Sequence, residues 1–255
     1  MTAEPNVAAN RNRFARAGIR LAVVCPMANE GTQASRFVTE TLHQCEGFRD
    51  VCFLAILDNA TTDDSLDLLR SLAAVEPRLR VVWAPENRSV VDAYRRGYRE
   101  ALASGADWIL EIDAGFSHQP EDIPRFIAAM EEGYDCVFGS RFMKGSRLSD
   151  CSLKRYCISR GGTILTNLLV GTRQTDMTSG FELFSRDALS MVLEKGIHSR
   201  AHFFQTEIKT FCRNLRIVEV PIHYRAPSPR LKGSALSDAF RQLWGLRQRR
   251  ARGEI

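Results

Sequence analysis

The sequence predicts an α/β fold with a mainly parallel central sheet flanked by helices. Between residues 20 and 140, short apolar runs alternate with longer amphipathic segments, and clusters of Asn, Asp, Gly, Pro and Thr separate them. At 255 residues the chain is long enough for one sizeable domain of this kind. Strands that alternate with helices require crossover connections, and these favour parallel pairing.

Each element follows from its local pattern. Leu21 to Cys25 reads as a strand running into Pro26, with a helix over about 32–45. A second strand, Val51 to Leu57, leads into Asp58-Asn59-Ala60-Thr61-Thr62-Asp63-Asp64, a turn rich in capping residues before a helix at about 64–75. Leu79 to Trp83 is a third strand, followed by a helix near 89–104. Trp108 to Ile112 is a buried strand, then comes a helix at about 121–132 and a strand from Asp135 to Gly139. Residues 140–155 read as a basic loop and about 156–170 as a helix. A turn and short strand over 175–184, a helix over 200–213 and a strand pair around 215–224 complete the domain. Pro227 and Pro229 mark a linker, and the chain from Ala235 onward is helical.

Three divisions follow: a flexible tail over 1–17, a catalytic-sized domain over 18–225, and a basic amphipathic extension over 226–255. No segment approaches eighteen consecutive apolar residues, and the N-terminus lacks the apolar run of a secretory signal. A cytoplasmic protein is expected. Seven scattered cysteines without Cys-x-x-Cys spacing point to reduced thiols rather than zinc or disulfides.

Asp113 stands where the Trp108 strand ends, and ligands of open α/β sheets bind at the carboxyl ends of strands. The small residues Ala114 and Gly115 that follow suit close approach of a metal or charged ligand. The plainer alternative is a cap for the helix beginning near Pro120. Pro26, Asn29 and Glu30 follow the first strand and Asp58 the second, so all face the same crevice.

In order and spacing these motifs resemble the dolichol-phosphate mannose synthase branch of the family 2 glycosyltransferases, which have the GT-A fold. The likeness spans about residues 20–236. It rests on Cys25 to Glu30, Asp58 to Asp64, Asp113 to Pro120 with Gly139-Ser140-Arg141-Phe142, and Asp176 to Phe181. Phe204 to Glu207 and Glu219 to Ile222 add to it. The resemblance implies transfer of a sugar from a nucleotide donor (a GDP-mannose-like or UDP-sugar) to a polyprenyl or dolichyl phosphate, with inversion. Donor binding falls to Pro26, Asn29, Glu30, Asp58, Asp113, Gln205 and Glu207, with Glu30 and Asp58 on ribose or base. Arg141, Arg155 and Ser159 match positions that contact the acceptor phosphate, a task that suits bidentate guanidinium groups. Asp113, Arg141 and Arg155 carry the catalysis.

The chemistry is consistent with that assignment. A hydroxyl acceptor needs a general base, whereas a phosphate monoester is already an anion near neutral pH. Without the Gln-x-x-Arg-Trp motif of processive synthases, polymer synthesis is disfavoured. Two alternatives stand beside this reading. One is a soluble hydroxyl acceptor, with Glu207 the nearest base; the other is a non-catalytic sugar-nucleotide-binding protein.

The chain departs from the family in informative places. Gly115 replaces the second Asp of the usual Asp-Ala-Asp, so a Mg²⁺ or Mn²⁺ site at Asp113 is expected to be weakened. Glu111 shares the face of Asp113 if the strand continues, though it is not the expected replacement. Glu182 and Ala235 stand where Arg and Lys are usual, which removes positive charge expected near phosphates, with Arg230 and Lys232 available to replace it. Ala28 stands where Tyr is common.

In the extension, Leu236, Phe240, Leu243 and Trp244 recur on one helical face, flanked by Arg241, Arg247, Arg249 and Arg250. From Arg225 to Ile255 there are eight Lys or Arg against Asp238 and Glu254. Such a helix either lies on the cytoplasmic membrane face, alone or with an integral membrane partner, or packs on its own domain. No recognition motif accompanies the charge, so nucleic acid is not an expected partner.

Overall fold

The computed structural model describes residues 16–225 and 233–254, with side chains in the last helix from Asp238 onward. In chain order the elements are β1 (Arg20–Pro26), α1 (Gln33–Gln44), β2 (Asp50–Leu57), α2 (Ser65–Ala73), β3 (Leu79–Trp83), α3 (Val90–Ala103) and β4 (Trp108–Glu111). They continue with α4 (Ile123–Glu131), β5 (Cys136–Ser140), β6 (Arg147–Ser149), α5 (Leu153–Val170), β7 (Glu182–Ser185), α6 (Arg186–Lys195), α7 (Phe204–Cys212), β8 (Ile217–Pro221), β9 (His223–Arg225) and α8 (Gly233–Ala251). The expected N-terminal tail lies outside the described residues except for Arg16 and Ala17, which open a 3-10 turn.

Seven strands form one sheet in the order β3-β2-β1-β4-β7-β5-β8. Neighbours pair in parallel except β7, which runs antiparallel to both β4 and β5. The central strands are buried on both faces. In β1, Leu21, Val23 and Cys25 enter one core with α1, α2 and α4. Ala22 and Val24 enter the other, with α3, α6, α7 and α8. This two-sided burial is what the unbroken apolar runs encode.

The helices answer to equally local causes. Ser89, Ser152 and Ser185 cap α3, α5 and α6 by accepting from the backbone N–H of Asp92, Arg155 and Ala188. A glycine sits mid-helix in α3 because a Cβ at Gly97 would lie 2.3 Å from Val24 Cγ1. The helix therefore lies close on β1.

Three features differ from the sequence expectation. The loop expected at 140–155 contains β6, which pairs in parallel with β9 in a separate two-stranded sheet. β8 and β9 do not pair with each other; β8 extends the main sheet beside β5. The helix α6 follows β7 directly, where none was expected.

The extension divides its apolar residues. Leu243 and Leu246 are buried in the second core, while Phe240 and Trp244 stay exposed at 62% and 55%. The single stripe expected of α8 is thus split between its own domain and solvent; Leu236 lies among the side chains not described. None of the described helices is long and apolar enough to cross a membrane.

Candidate active site

The carboxyl ends of β1, β2 and β4 converge. Asn29, in left-handed conformation (φ 62°), donates from its amide to Ala60 O at 2.7 Å and accepts from Thr62 N–H at 2.8 Å. Asp63 accepts from the N–H of Gly31 at 2.9 Å and of Ser65 at 3.0 Å, stitching the loop after β1 to the start of α2. Ser65 Oγ in turn accepts from Glu30 N–H at 2.8 Å. Asp58 is buried and accepts from Ala60 N–H at 2.9 Å, an Asx turn at the end of β2. Pro26 closes β1, partly buried. Asn29 and Asp63 brace this crevice, whereas Glu30 and Asp58 border it.

Asp113 stands just past β4 with its side chain 42% exposed. The Tyr94 hydroxyl donates to its Oδ1 from α3 below, and one turn later Tyr98 donates to Glu111. The close seat of α3 at Gly97 places both tyrosines. His118 is buried and its Nδ1 accepts from Asp113 N–H at 3.2 Å, so this nitrogen carries no proton. Burial lowers the His118 pKa to about 4. The ring is neutral, and its 3.6 Å approach to Asp113 Oδ2 is not an ion pair. Glu30 behaves oppositely: burial, then the charges of Asp113 and Asp63, push its carboxyl up to about 7.

Glu111 does not join Asp113 at the surface. It is fully buried, with Tyr98 and Gln205 donating to its two oxygens. Directly across the sheet from it, in register, is Glu182. Glu182 is also fully buried, 3.4 Å from Lys209 Nζ. This corrects the sequence expectation: position 182 faces the interior, so the Glu there takes no charge away from a phosphate at the surface. Ala235, Arg230 and Lys232 lie outside the described side chains.

Gln205 is likewise buried beneath the crevice, on Glu111. Glu207, two residues on, is buried and accepts from the N–H groups of His198 and Ser199 at 2.9–3.1 Å. It fixes the loop before α7.

A second group lies beside the first. Arg141 is all but buried and makes a two-pronged contact with Asp176, at 2.7 and 2.8 Å, and a further bond to Thr178. Burial opposes the Asp176 charge, yet Arg141 and then Lys209 hold its carboxyl well below the usual range. Glu219 secures this loop by accepting from Thr175 and Asp176 N–H at 2.7 and 2.9 Å. Those contacts give physical content to the Asp176 and Glu219 motifs.

Tyr224, which sequence reasoning missed, joins the two groups. Its ring is 5.3 Å from the Arg141 guanidinium, 5.9 Å from that of Arg155 and 5.2 Å from His118. Arg155 Nη2 donates to its hydroxyl at 3.1 Å. No local pattern marks Tyr224, because β9 is three residues long and its partner β6 is distant in sequence. Ser159 is half-buried one turn after Arg155 on α5.

A mainly parallel sheet whose strand ends gather carboxylates into one crevice is the architecture of the GT-A glycosyltransferases. Solved structures of that class superpose on this chain. Glucosyl-3-phosphoglycerate synthase from Mycobacterium tuberculosis, in complex with UDP, gives a TM-score of 0.67 at 18% identity over 97% of this chain and 86% of that one. Its complex with Mn²⁺, UDP-glucose and phosphoglyceric acid gives the same values. The chain belongs to glycosyl transferase family 2, whose profile matches residues 22–193, and it is a glycosyltransferase. It is 30% identical over 201 residues to the undecaprenyl-phosphate mannosyltransferase of Micrococcus luteus, spanning 76% of this chain and 82% of that protein. It is 26% identical over 246 residues to the polyprenol monophosphomannose synthase of Mycolicibacterium smegmatis, spanning 92% and 91%.

Proposed function

We propose that this enzyme transfers a sugar from a nucleoside diphosphate sugar to a polyprenyl phosphate, with inversion, at the cytoplasmic face of a membrane. The observation that carries this reading is the Tyr224 ring set between Arg141 and Arg155, one ring away from the Asp113 crevice. The Arg155 guanidinium beside the crevice suits a phosphate acceptor better than a neutral hydroxyl, with Arg141, paired to Asp176, adding positive potential behind it. The names of the two bacterial relatives point to the same acceptor class.

A phosphate monoester attacks the anomeric carbon as an anion. Its oxygen forms the new C1–O bond as the bond to the diphosphate breaks, and the nucleoside diphosphate leaves with the electron pair. No proton has to be removed. Glu207, the nearest base for a hydroxyl acceptor, is held by two backbone amides, which speaks against that alternative.

Asp58 and the Pro26 edge border the nucleoside side of the crevice, while Tyr94 and His118 fix Asp113. Asp113 is half-exposed with hard oxygen donors and would hold a Mg²⁺ or Mn²⁺ ion. Such an ion, when bound, neutralises the diphosphate leaving group. Among the described residues no three His, Cys, Asp or Glu side chains converge as a metal cluster, so substrate oxygens and water complete the shell.

The membrane face is supported by α5. Leu153, Cys157, Ile164 and Leu168 fall within about 60° on this helix at roughly 100° per residue. Leu153, Ile164 and Leu168 are 77%, 54% and 75% exposed. Arg155 and Ser159 lie on its other side. Leu168 and Arg247 line one depression, and Arg247 covers exposed Trp244, so the apolar face of α5 continues onto α8. An apolar face with basic neighbours suits a lipid interface.

Steady-state transfer to a short polyprenyl phosphate, compared with the parent alcohol, tests the acceptor assignment. Arg155→Ala is expected to raise KM for the phosphate about tenfold or more, as loss of a charge-assisted contact would. Equal use of phosphate and alcohol, with Arg155→Ala silent, would refute it.

A further inference from the structure

The family's usual second metal carboxylate is missing at Gly115, and a carboxylate from the loop after β1 lies beside that position. A Cβ at Gly115 would lie 2.6 Å from Glu30 Oε2 and 3.6 Å from the Glu30 carboxyl carbon. A side chain at 115 and the carboxylate of Glu30 therefore compete for one space. The backbone adds its own strain: φ at Gly115 is +68°, a left-handed region that side-chain-bearing residues rarely adopt, although Asp is enriched there relative to most. An Asp at 115 would have to displace the flexible end of Glu30 as well as bear the left-handed backbone.

The other carboxylates near this end of the sheet are engaged elsewhere. Both oxygens of Glu111 are bonded to Tyr98 and Gln205, away from solvent. Both oxygens of Asp63 hold backbone amides of Gly31 and Ser65. One oxygen of Asp58 holds Ala60 N–H. Glu30 differs from them all. Its backbone is pinned through Ser65 Oγ and Gln33 N–H, while its carboxylate accepts no hydrogen bond from the described residues. It is held in place, half-buried, and turned towards the Asp113 loop without a donor. A part-buried carboxylate crowded by the charges of Asp113 and Asp63 and lacking a donor is relieved by a cation.

We propose that Glu30 is the second protein ligand of the divalent cation, supplying from the loop after β1 the carboxylate that Gly115 lacks. This rests on the donor reading above, in which a nucleoside diphosphate sugar binds with a divalent ion. It moves Glu30 from the nucleoside to the metal. The pair Glu30/Gly115 is then an exchange: a longer acid from β1 in place of a shorter one after β4, with the ion between Glu30 and Asp113.

The test is Mn²⁺ binding to the full chain, followed by the loss of the free-ion electron paramagnetic resonance signal, with GDP or UDP present. Nucleotide binding in EDTA is measured in parallel, and thermal melts confirm folding. Glu30→Gln is expected to weaken Mn²⁺ by about tenfold or more, with nucleotide binding in EDTA changed less than about twofold. Gly115→Asp alone is expected to give no gain in Mn²⁺ affinity, because the new side chain meets a left-handed backbone and must displace the carboxylate that already serves the ion. Glu30→Ala combined with Gly115→Asp is expected to restore Mn²⁺ affinity to within about threefold of the native protein. Unchanged Mn²⁺ affinity in Glu30→Gln, with nucleotide binding in EDTA lost, would return Glu30 to the nucleoside and overturn the inference while the donor reading stands. A native protein that binds neither nucleotide under any condition would overturn both.

Discussion

Asp176 determines what substitution of Arg141 can report. The two form a nearly buried pair, and breaking such a pair leaves an uncompensated charge at a cost of about 3–5 kcal/mol. Arg141→Ala is therefore expected to lower the melting temperature markedly as well as activity, and Asp176→Ala to do the same without touching acceptor. Circular dichroism melts of both variants check this; a stable, inactive Arg141→Ala would mean the pair contributes little to folding. Arg155, at the edge of α5, is the better probe of the acceptor. In the sequence, Asp113 and Arg141 stand out because each lies in a motif of fixed local order, whereas Arg155 is marked only by its match to a family position. The Arg141–Asp176 pair was not legible, since its partners are 35 residues apart and neither pattern names the other. Nor was the meeting of Glu30 with Gly115, which depends on two loops converging in space.

Elements carry a second set of expectations. A helical glycine is ordinarily about 1 kcal/mol worse than alanine, so Gly97→Ala on an open face would stabilise α3. Here the methyl meets a stiff, buried Val24 at 2.3 Å, and overpacking of this kind costs about 1–3 kcal/mol. Gly97→Ala is expected to lower stability and, by displacing Tyr94, to lower kcat as well; a more stable variant of unchanged activity would contradict the packing account.

The β4–β7 pair adds a pH dependence. Burial raises the Glu182 carboxyl to about 8, and burial then the Glu182 charge raise Glu111. Both folded-state values lie above the unfolded ones. The stability they contribute is therefore complete below about pH 4.5 and is lost as pH rises through about 8. Melts at pH 6 and pH 9 are expected to differ by roughly 5 °C more in the native protein than in Glu182→Gln. Equal differences would show that the pair does not titrate in this range. The strands themselves were legible because burial on both faces writes an unbroken apolar run. β6 and β9 were not, since three residues carry no periodicity and their pairing is set by the tertiary fold.

At the scale of the whole molecule, the sheet brings a carboxylate crevice and an arginine pair together, and α5 joins that pair to an exposed apolar face. Ile164→Glu with Leu168→Glu is expected to abolish sedimentation with anionic phospholipid vesicles and leave transfer to a water-dispersed short-chain acceptor within about twofold of native. Undiminished vesicle binding would move the membrane contact elsewhere. The sequence marked α8 as amphipathic but could not divide its stripe, because Leu243 and Trp244 are adjacent and only packing sends one inward and the other out. The apolar side of α5 passed unnoticed for a related reason. Its buried face carries the polar residues Thr163 and Thr166, so the pattern gives no sign that the apolar face is the exposed one.

The most direct measurement of the central assignment is transfer of radiolabelled sugar to a short polyprenyl phosphate, using GDP-mannose and UDP-sugars as donors, with Mn²⁺ or with EDTA. The account predicts a lipid-extractable product from one donor class, dependent on the metal and lost with Asp113→Asn. Measurable nucleotide binding without product from any donor would contradict it, and would place the chain among proteins that bind nucleotide sugars without transferring them.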